Sequence, residues 1–300
     1  MLGPGAGGEL PMSLEEFRQI RDFIHGHCGI YFDDESKYLL EKRLARRAAL
    51  RQLRSFTEYH RFLKYDRRRE EELNAVLDVL TTNETYFFRE EFQLKAFAEE
   101  ILPEHLARGG GVQPKALRIW SAGCSTGEEP YTIAMLILEN GRFGDWKVDI
   151  FGTDISQRVL GVARAGVYGA PSMRQIDQGR VRRFFETAPG PGGSTTYRVK
   201  DEVRRFVSFA HLNLLDAGRV ALLPTMDVIF CRNVIIYFDV TAKRTVIDLF
   251  ERKLAAGGHL LLGHSESLMN LSTSFVLRHL KHDMVYQKPA SPVADGVGVR

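Results

Sequence analysis

With 300 residues, 44% of them apolar and 26% charged, the chain has the make-up of an ordinary globular protein long enough for two domains. Its net charge of +3 is too small to imply nucleic-acid binding by itself, and no apolar run approaches the roughly 20 residues that a bilayer crossing needs. Cys28, Cys124 and Cys231 lie far apart with no CxxC spacing and no companion histidine pattern, so they suit a reducing compartment and make no case for a metal.

Met1 to Pro11 carries glycine and proline but no basic residue ahead of an apolar run, which is not the pattern of a signal peptide, and the chain reads as cytoplasmic. From Met12 the pattern turns helical and basic. Ser13 with Glu16 fits a capping box, Phe17, Ile20, Phe23 and Ile24 follow at helical spacing, and this helix is expected to end near Gly26 to Gly29. Lys37 to about Leu53 sets Leu40, Leu44 and Ala48 on one stripe and Arg43, Arg47, Arg51 and Arg54 on another. Between Lys37 and Arg69 twelve Lys/Arg face three acids, a local surplus larger than that of the whole chain. A solvated helix face and a docking surface for an acidic partner both explain it. Nucleic acid is the weaker reading, because no aromatic rings alternate with the arginines as a base-stacking platform requires. Helices around Phe56 to Tyr65 and Glu70 to Leu80 complete an all-α domain over residues 12–82.

The segment Asn83-Glu84-Thr85-Tyr86-Phe87-Phe88-Arg89-Glu90 is unusual for a linker, since polar donors and a strong cation flank two adjacent phenylalanines. The plain alternative is that Phe87 and Phe88 only seat a helix on the core. A helix over Glu91 to Leu102 is expected to stop before Pro103, and Gly109-Gly110-Gly111 with Pro114 then separates it from an alternating region.

That region opens on Leu117-Arg118-Ile119-Trp120, a short buried strand, followed by the turn Ser121 to Gly127 and a helix begun by Glu128, Glu129 and Pro130. Strand, small-residue turn and helix form the opening of a cofactor-binding α/β unit. Two acids in the first helical turn suit the helix dipole but would repel a pyrophosphate, so the expected cofactor is cationic or neutral at that end. A second strand, Lys147 to Asp154, ends in an acid about 30 residues beyond Gly123, where nucleoside-binding folds place a carboxylate on the ribose hydroxyls. A cap for the next helix is the competing role for Asp154. Asp227 to Phe238 reads as a buried strand that empties into Arg, Asn and Tyr, Thr241 to Leu254 as a helix, and His259 to Gly263 as another buried strand. Near-continuous apolar strands of this kind belong to a mostly parallel sheet covered on both faces. Between Val181 and Phe209 the turn Pro189-Gly190-Pro191-Gly192-Gly193 precedes Thr195 to Val199 and Val203 to Phe209, which predicts a small antiparallel hairpin inserted at about 181–209. The tail from Pro289 to Arg300 is rich in small residues and is expected to be disordered.

Asn83 to Arg89, Ser121 to Tyr131, Gly152-Thr153-Asp154-Ile155, Asn213-Leu214-Leu215 and Phe230 to Phe238, in that order, resemble the CheR family of chemotaxis receptor glutamate O-methyltransferases. The resemblance runs from about Ser13 to Lys288. It implies a helical N-terminal domain, a Rossmann-like class I methyltransferase domain over 83–288 and an inserted β-subdomain, an α/β fold that agrees with the layout above. The implied cofactor is S-adenosylmethionine, leaving as S-adenosylhomocysteine. By resemblance the cofactor is held by Asn83, Thr85, Arg89, Glu128, Asp154, Asn213, Leu214, Asn233 and Val234, while Arg89 and Tyr237 line the place of methyl transfer. The implied substrate is a glutamate on the cytoplasmic helical domain of a chemoreceptor, which gives Arg43, Arg47, Arg51 and Arg54 a docking role. A receptor C-terminal peptide at the β-subdomain is a further expected partner, and the enzyme is expected to act as a monomer without nucleic acid or membrane insertion.

Three other readings compete. A methyltransferase acting on RNA or a small molecule would share the domain, but the Asn-x-Thr-x-Phe-Phe-Arg segment speaks against it. A non-catalytic S-adenosylmethionine-binding module is disfavoured by the intact Arg89, Asp154, Asn233 and Tyr237. A nicotinamide oxidoreductase is disfavoured because Gly123 to Gly127 does not spell GxGxxG.

Overall fold

The computed structural model describes residues 10–109 and 115–290. The glycine run after Gly109, Pro114 and most of the expected disordered tail lie outside the described residues. The described chain divides into two compact units: a helical one that runs up to Thr82 and includes Tyr237–Asp239, and a larger one formed by Asn83–Ile236 with the chain from Val240 onward.

In the helical unit, α1 (Leu14–Cys28) starts on Ser13, whose hydroxyl accepts the Glu16 N–H while Glu16 returns to the Ser13 backbone, and it ends where Gly29 turns left-handed at φ 76°. The other helices are α2 (Lys37–Leu50), α3 (Phe56–Tyr65) and α4 (Arg69–Leu80). Phe17, Ile20, Leu40, Leu44, Phe56, Val76 and Leu77 form their shared core. Tyr237–Asp239 is tied to this unit by its backbone: the Tyr237 carbonyl accepts the Tyr31 N–H at 2.9 Å, and Phe238 pairs with Ile30 as an isolated antiparallel bridge.

The cationic stripe of α2 is not a uniform free surface. The Glu72 side chain on α4, 0% exposed, accepts Arg47 Nε at 3.0 Å, Arg47 Nη2 at 2.7 Å, Arg51 Nε at 2.5 Å and the Tyr59 hydroxyl at 2.6 Å. Burial alone would push the Glu72 carboxyl up, but these hydrogen bonds outweigh it and hold the group below the ordinary carboxylate value. Arg43 donates to the Leu80 carbonyl at 2.8 Å. Three of the four arginines expected to dock a partner therefore serve the interior of the unit, and only Arg54 of the four is exposed.

In the larger unit, α5 (Glu91–Ala96) does not stop at Pro103 as the sequence predicts. It passes through a π-helical stretch, Phe97–Ile101, into α6 (Leu102–Gly109). The extra residue per turn, closed by the Leu102 N–H on the Phe97 carbonyl, carries the helix into the proline, whose missing N–H and bulky ring would break a regular α-turn. There follow β1 (Ala116–Ala122), α7 (Glu128–Asn140), β2 (Lys147–Asp154), α8 (Gln157–Ala165) and β3 (Val167–Tyr168). Next come α9 (Gln178–Phe184), β4 (Phe185–Pro189), β5 (Thr195–Val199), α10 (Asp201–Arg204), β6 (Val207–His211) and α11 (Ala217–Ala221). The chain closes with β7 (Met226–Cys231), α12 (Val240–Lys253), β8 (Leu254–Leu262), β9 (Val276–His279) and β10 (Met284–Gln287).

The large sheet has the order β6-β2-β1-β7-β8-β10-β9, its first five strands parallel and its last two antiparallel. Strand order reverses at β1, flanked by β2 on one side and β7 on the other, and this is the switch point where open α/β sheets bind ligands beyond their carboxyl ends. A separate antiparallel sheet, β3-β5-β4, spans Val167–Val199. It differs from the predicted hairpin in its partners. The Gly/Pro turn does precede β5, but it joins β5 to β4. Val207–His211 pairs parallel with β2 in the large sheet instead, so the end of the stretch expected in the subdomain belongs to the main one. An apolar run of that length serves an edge hairpin or a buried parallel strand equally well.

Replacing Glu72 by Ala would leave the Arg47 guanidinium without an acid and Arg51 with only the exposed Glu71, and is expected to cost about 3–5 kcal/mol in equilibrium unfolding of the helical unit. A loss below about 1 kcal/mol, the range of exposed pairs, would show that Arg47 and Arg51 do not depend on it.

Candidate active site at the carboxyl edge of the sheet

Beyond the end of β1 the chain turns through Gly123 (φ 80°), Ser125 (φ 49°) and Gly127 (φ 93°). These conformations aim backbone N–H groups inward. Gly123 and Cys124 both donate to the Thr153 carbonyl, Gly127 to the Cys124 carbonyl and Ser125 to Asp154 Oδ2 at 2.8 Å. Those four donors are spent inside the protein, so they do not form a cradle for phosphate. A Cβ on Gly123 would stand 2.4 Å from Val234 Cγ2, and glycine is what lets the loop after β7 close onto this turn.

Asp154 ends β2 at 8% exposure. Its second oxygen accepts the Ser156 N–H at 2.9 Å. Burial pushes this carboxyl above its ordinary value, against the pull of those backbone donors. Ser156, not Asp154, caps α8, its hydroxyl accepting the Val159 N–H, so the competing role for Asp154 as that cap is filled by its neighbour. The chain leaving β6 is bound to the same strand end: the Leu212 N–H reaches the Asp154 carbonyl at 3.0 Å, and Asn213 Oδ1 then accepts the Leu215 N–H at 3.0 Å, with Leu214 buried behind it.

After β7 the loop carries Asn233 at φ 60°. The N–H groups of Asn233 and Val234 each donate at 2.8 Å to the Glu266 carboxylate, which also accepts Gly263 N–H at 2.7 Å and Ile236 N–H at 3.3 Å.

The segment from Asn83 to Glu90 lies on this edge from the other direction. Ser125 Oγ donates to the Asn83 carbonyl at 3.3 Å. Phe87 is fully buried with edge-on contacts to Tyr168 and Phe185, centroids 4.9 and 5.0 Å away, and its N–H donates to the Ser172 carbonyl. Phe88, at φ 61°, donates its N–H to Thr132 Oγ1. The two rings do seat the segment on the core, as the plain alternative has it, and in doing so they fix the half-buried Asn83, Thr85 and Arg89. Arg89 donates to the Glu84 carbonyl at 2.7 Å, and no carboxylate among the described residues lies within ion-pair distance of it. Arg232, its side chain 3% exposed, does the opposite: it reaches the Arg89 carbonyl at 2.5 Å, Glu90 at 3.2 Å and Glu129 at 3.4 Å.

The two acids that open α7 have distinct surroundings. Glu128, 2% exposed, accepts the Thr126 hydroxyl at 2.6 Å and the Ser172 hydroxyl at 2.8 Å. Glu129 accepts the Ser121 hydroxyl at 2.7 Å and faces Arg232, which makes it a link in the site's wall beyond its place at a helix start. Burial pushes both carboxyls up, with hydroxyl donors at Glu128, and Arg232 ahead of Ser121 at Glu129, offsetting part of it.

The structure thus brings Asn83, Thr85, Arg89, Glu128, Asp154, Asn213, Leu214, Asn233 and Val234 to one edge of one unit. Tyr237, and the arginines of α2, belong to the helical unit. Arg232 and Glu266 were not singled out by sequence reasoning. Arg232 stands inside a motif without a local cue to its burial, and Glu266 is marked only by its place just beyond a buried strand. The donor set fits S-adenosylmethionine: a fixed carboxylate at the end of the second strand could take ribose hydroxyls, and acids without a phosphate cradle would tolerate a cationic sulfonium.

Residues 83–284 match the family described as CheR methyltransferase, SAM binding domain, and residues 15–81 match CheR methyltransferase, all-alpha domain. The chain is 35% identical over 288 residues to chemotaxis protein methyltransferase 2 of Vibrio cholerae serotype O1, covering 96% of this chain and 97% of that protein. It is 38% identical over 282 residues to the chemotaxis protein methyltransferase of Vibrio parahaemolyticus, covering 93% and 98%. The Escherichia coli K12 chemotaxis protein methyltransferase is 36% identical over 271 residues, with 90% of each chain covered. A chain matched across both of its units, with the cofactor-fitting edge just described, belongs to the CheR methyltransferase family, and S-adenosylmethionine is its cofactor.

Proposed function

We propose that this enzyme transfers a methyl group from S-adenosylmethionine to glutamate side chains of a chemoreceptor, giving the methyl ester and S-adenosylhomocysteine, in chemotaxis adaptation or a related signalling pathway. The observation that carries the reading is the joint match of the helical and methyltransferase regions to full-length chemotaxis methyltransferases.

The bound cofactor supplies an electrophilic methyl group. A glutamate carboxylate, with an ordinary pKa of about 4.3, is already ionised at neutral pH and needs no strong general base. What remains for the protein is alignment and the removal of water from the nucleophile. Asp154 would accept the ribose hydroxyls, with Asn83, Thr85, Glu128, Asn213, Leu214, Asn233 and Val234 as the surrounding contacts. Arg89 has no carboxylate among the described residues within ion-pair distance, which suits it to steer a substrate carboxylate. A clamp on both substrate oxygens would quench the nucleophile, so steering or cofactor contact is the role assigned. Tyr237 would orient a substrate carboxylate through its hydroxyl, and the residue is 39% exposed.

Residues 12–82 would dock the receptor's acidic helical surface, and residues 83–288 would carry the chemistry. With Arg43, Arg47 and Arg51 committed inside the helical unit, the docking charge on and after α2 falls to Lys42, Arg46 and Arg54, which are exposed. Tyr38 and Leu50, 70% and 61% exposed, flank Lys42 and Arg46 at four-residue spacing and would give an incoming helix an apolar contact. A receptor C-terminal peptide would add to the β-subdomain at β4, which lies at the edge of its sheet with four of its five residues exposed. We assign the reaction to the cytoplasm and to a monomer. Among the described residues no helix is long and apolar enough to cross a membrane.

Incubation with labelled S-adenosylmethionine and receptor-containing membranes should give protein-bound label released as methanol by alkali; label stable to alkali, or label on RNA, would refute glutamate esterification. In the same assay Arg89→Ala should abolish most transfer while cofactor affinity stays within about tenfold, or about 1.4 kcal/mol. Cofactor binding lost outright in calorimetry would make Arg89 a binding residue and end the steering role. The double reversal Lys42→Glu with Arg46→Glu should slow receptor methylation at low salt, leave cofactor affinity unchanged and lose its effect as salt screens the charges. An unchanged rate at low salt would return this face to plain solvation.

A further inference from the structure

We infer that Glu266 is a positioning residue that sets the conformation of the Asn233-Val234 loop for the cofactor. The inference rests on the reading that this loop touches the cofactor. Glu266 lies 33 residues beyond Asn233 in sequence, and its carboxylate gathers N–H donors from two separate turns. Oε2 accepts Asn233 N–H and Gly263 N–H, at 2.8 and 2.7 Å, while Oε1 accepts Val234 N–H and Ile236 N–H, at 2.8 and 3.3 Å. Asn233 holds a left-handed φ of 60°, a conformation asparagine adopts more readily than other side chains, so it is open to the loop without being fixed by it. The Asn233 and Val234 N–H groups, both aimed at one carboxylate, select it. The same loop closes on the turn after β1, since a Cβ at Gly123 would collide with Val234. Packing from one side and the carboxylate from the other leave the loop one position.

The chemistry at this site is specific to a carboxylate. All four groups facing Glu266 are donors, and each oxygen takes two of them. A glutamine in the same place has one acceptor oxygen. Whichever way its amide is turned, its NH2 would point at two backbone N–H groups, which then lose their acceptor. Glu266→Gln therefore keeps size and shape and removes only the pattern of acceptors. A second route to the same loop leaves residue 266 a glutamate. A methyl added at Gly263 would meet the Asn233 backbone N and its Nδ2, each at 2.8 Å, and Glu266 Oε2 at 2.9 Å, so Gly263→Ala should push the loop and the carboxylate out of their present contact while all four acceptor positions stay on the glutamate.

The test uses the full chain, with S-adenosylhomocysteine binding measured by calorimetry, and KM for cofactor and for receptor measured in the methylation assay. Expected are losses of cofactor affinity of more than about tenfold in Glu266→Gln and in Gly263→Ala, with KM for receptor within about twofold of the parent. General loosening of the fold would raise both KM values together. Asn233→Ala serves as the control. If it weakens the cofactor while Glu266→Gln and Gly263→Ala both bind like the parent, the positioning role is overturned. If Asn233→Ala itself binds like the parent, the loop is no cofactor contact and the inference falls with that reading. Should Glu266→Gln fail to fold, Gly263→Ala decides: parent-like affinity overturns the inference, and selective loss of cofactor affinity supports it.

Discussion

A carboxylate taken out of water must be repaid by hydrogen bonds or a cation, and the carboxyl edge of the large sheet is organised around that requirement. Asp154, Glu128, Glu129 and Glu266 all lie there, and burial pushes each of them above the ordinary carboxylate value. Each is satisfied differently. Backbone N–H groups serve Asp154 and Glu266, hydroxyls serve Glu128, and Arg232 with a hydroxyl serves Glu129. Because those donors come from the turn after β1, the chain after β2 and after β3, the loop after β7 and the turn after β8, satisfying the acids also ties these elements together. The hydrogen bonds that satisfy these acids are also the ones that hold the edge together.

The consequence for chemistry is a division of labour among cations. Arg232, held between Glu90 and Glu129, is consumed in building the wall and carries the Arg89 carbonyl with it. Arg89 itself donates to the Glu84 carbonyl and lies over the Tyr86 ring, with no carboxylate among the described residues within ion-pair distance. An alkylation whose nucleophile is already ionised asks for such a group: a cation that can attract a carboxylate and is not already neutralised by one. The helical unit shows the reverse arrangement, since Glu72 draws Arg47 and Arg51 inward while Lys42, Arg46 and Arg54 stay exposed.

Much of this edge was legible in the sequence where a local pattern carries the function. Strand, small-residue turn and acidic helix start mark Gly123 to Glu129, the end of the second strand marks Asp154, and Asn83 to Arg89 stands out by composition. What periodicity cannot show is a partner. The stripe of Arg43, Arg47 and Arg51 is correct as a helix face, yet the meaning of Arg47 and Arg51 changes with Glu72, which lies 25 and 21 residues away on α4. Glu266 is equally silent, as nothing near it reveals that four N–H groups from two turns converge on it. Val207–His211 was misplaced because an apolar run does not say which sheet it joins, and α5 runs on past the expected stop because a π-turn absorbs Pro103.

The central claim is that the carboxyl edge between Asp154 and the Asn233 loop is the cofactor site. A crystal structure of the chain with S-adenosylhomocysteine tests it most directly. The account predicts ribose hydroxyls within about 2.5–3.2 Å of the Asp154 carboxylate, the loop at Asn233 and Val234 in contact with the ligand, and the sulfur turned toward the Arg89 segment. A ligand bound away from this edge, or one whose ribose is held by another residue while Asp154 stays engaged only with Ser125 and Ser156, would contradict it.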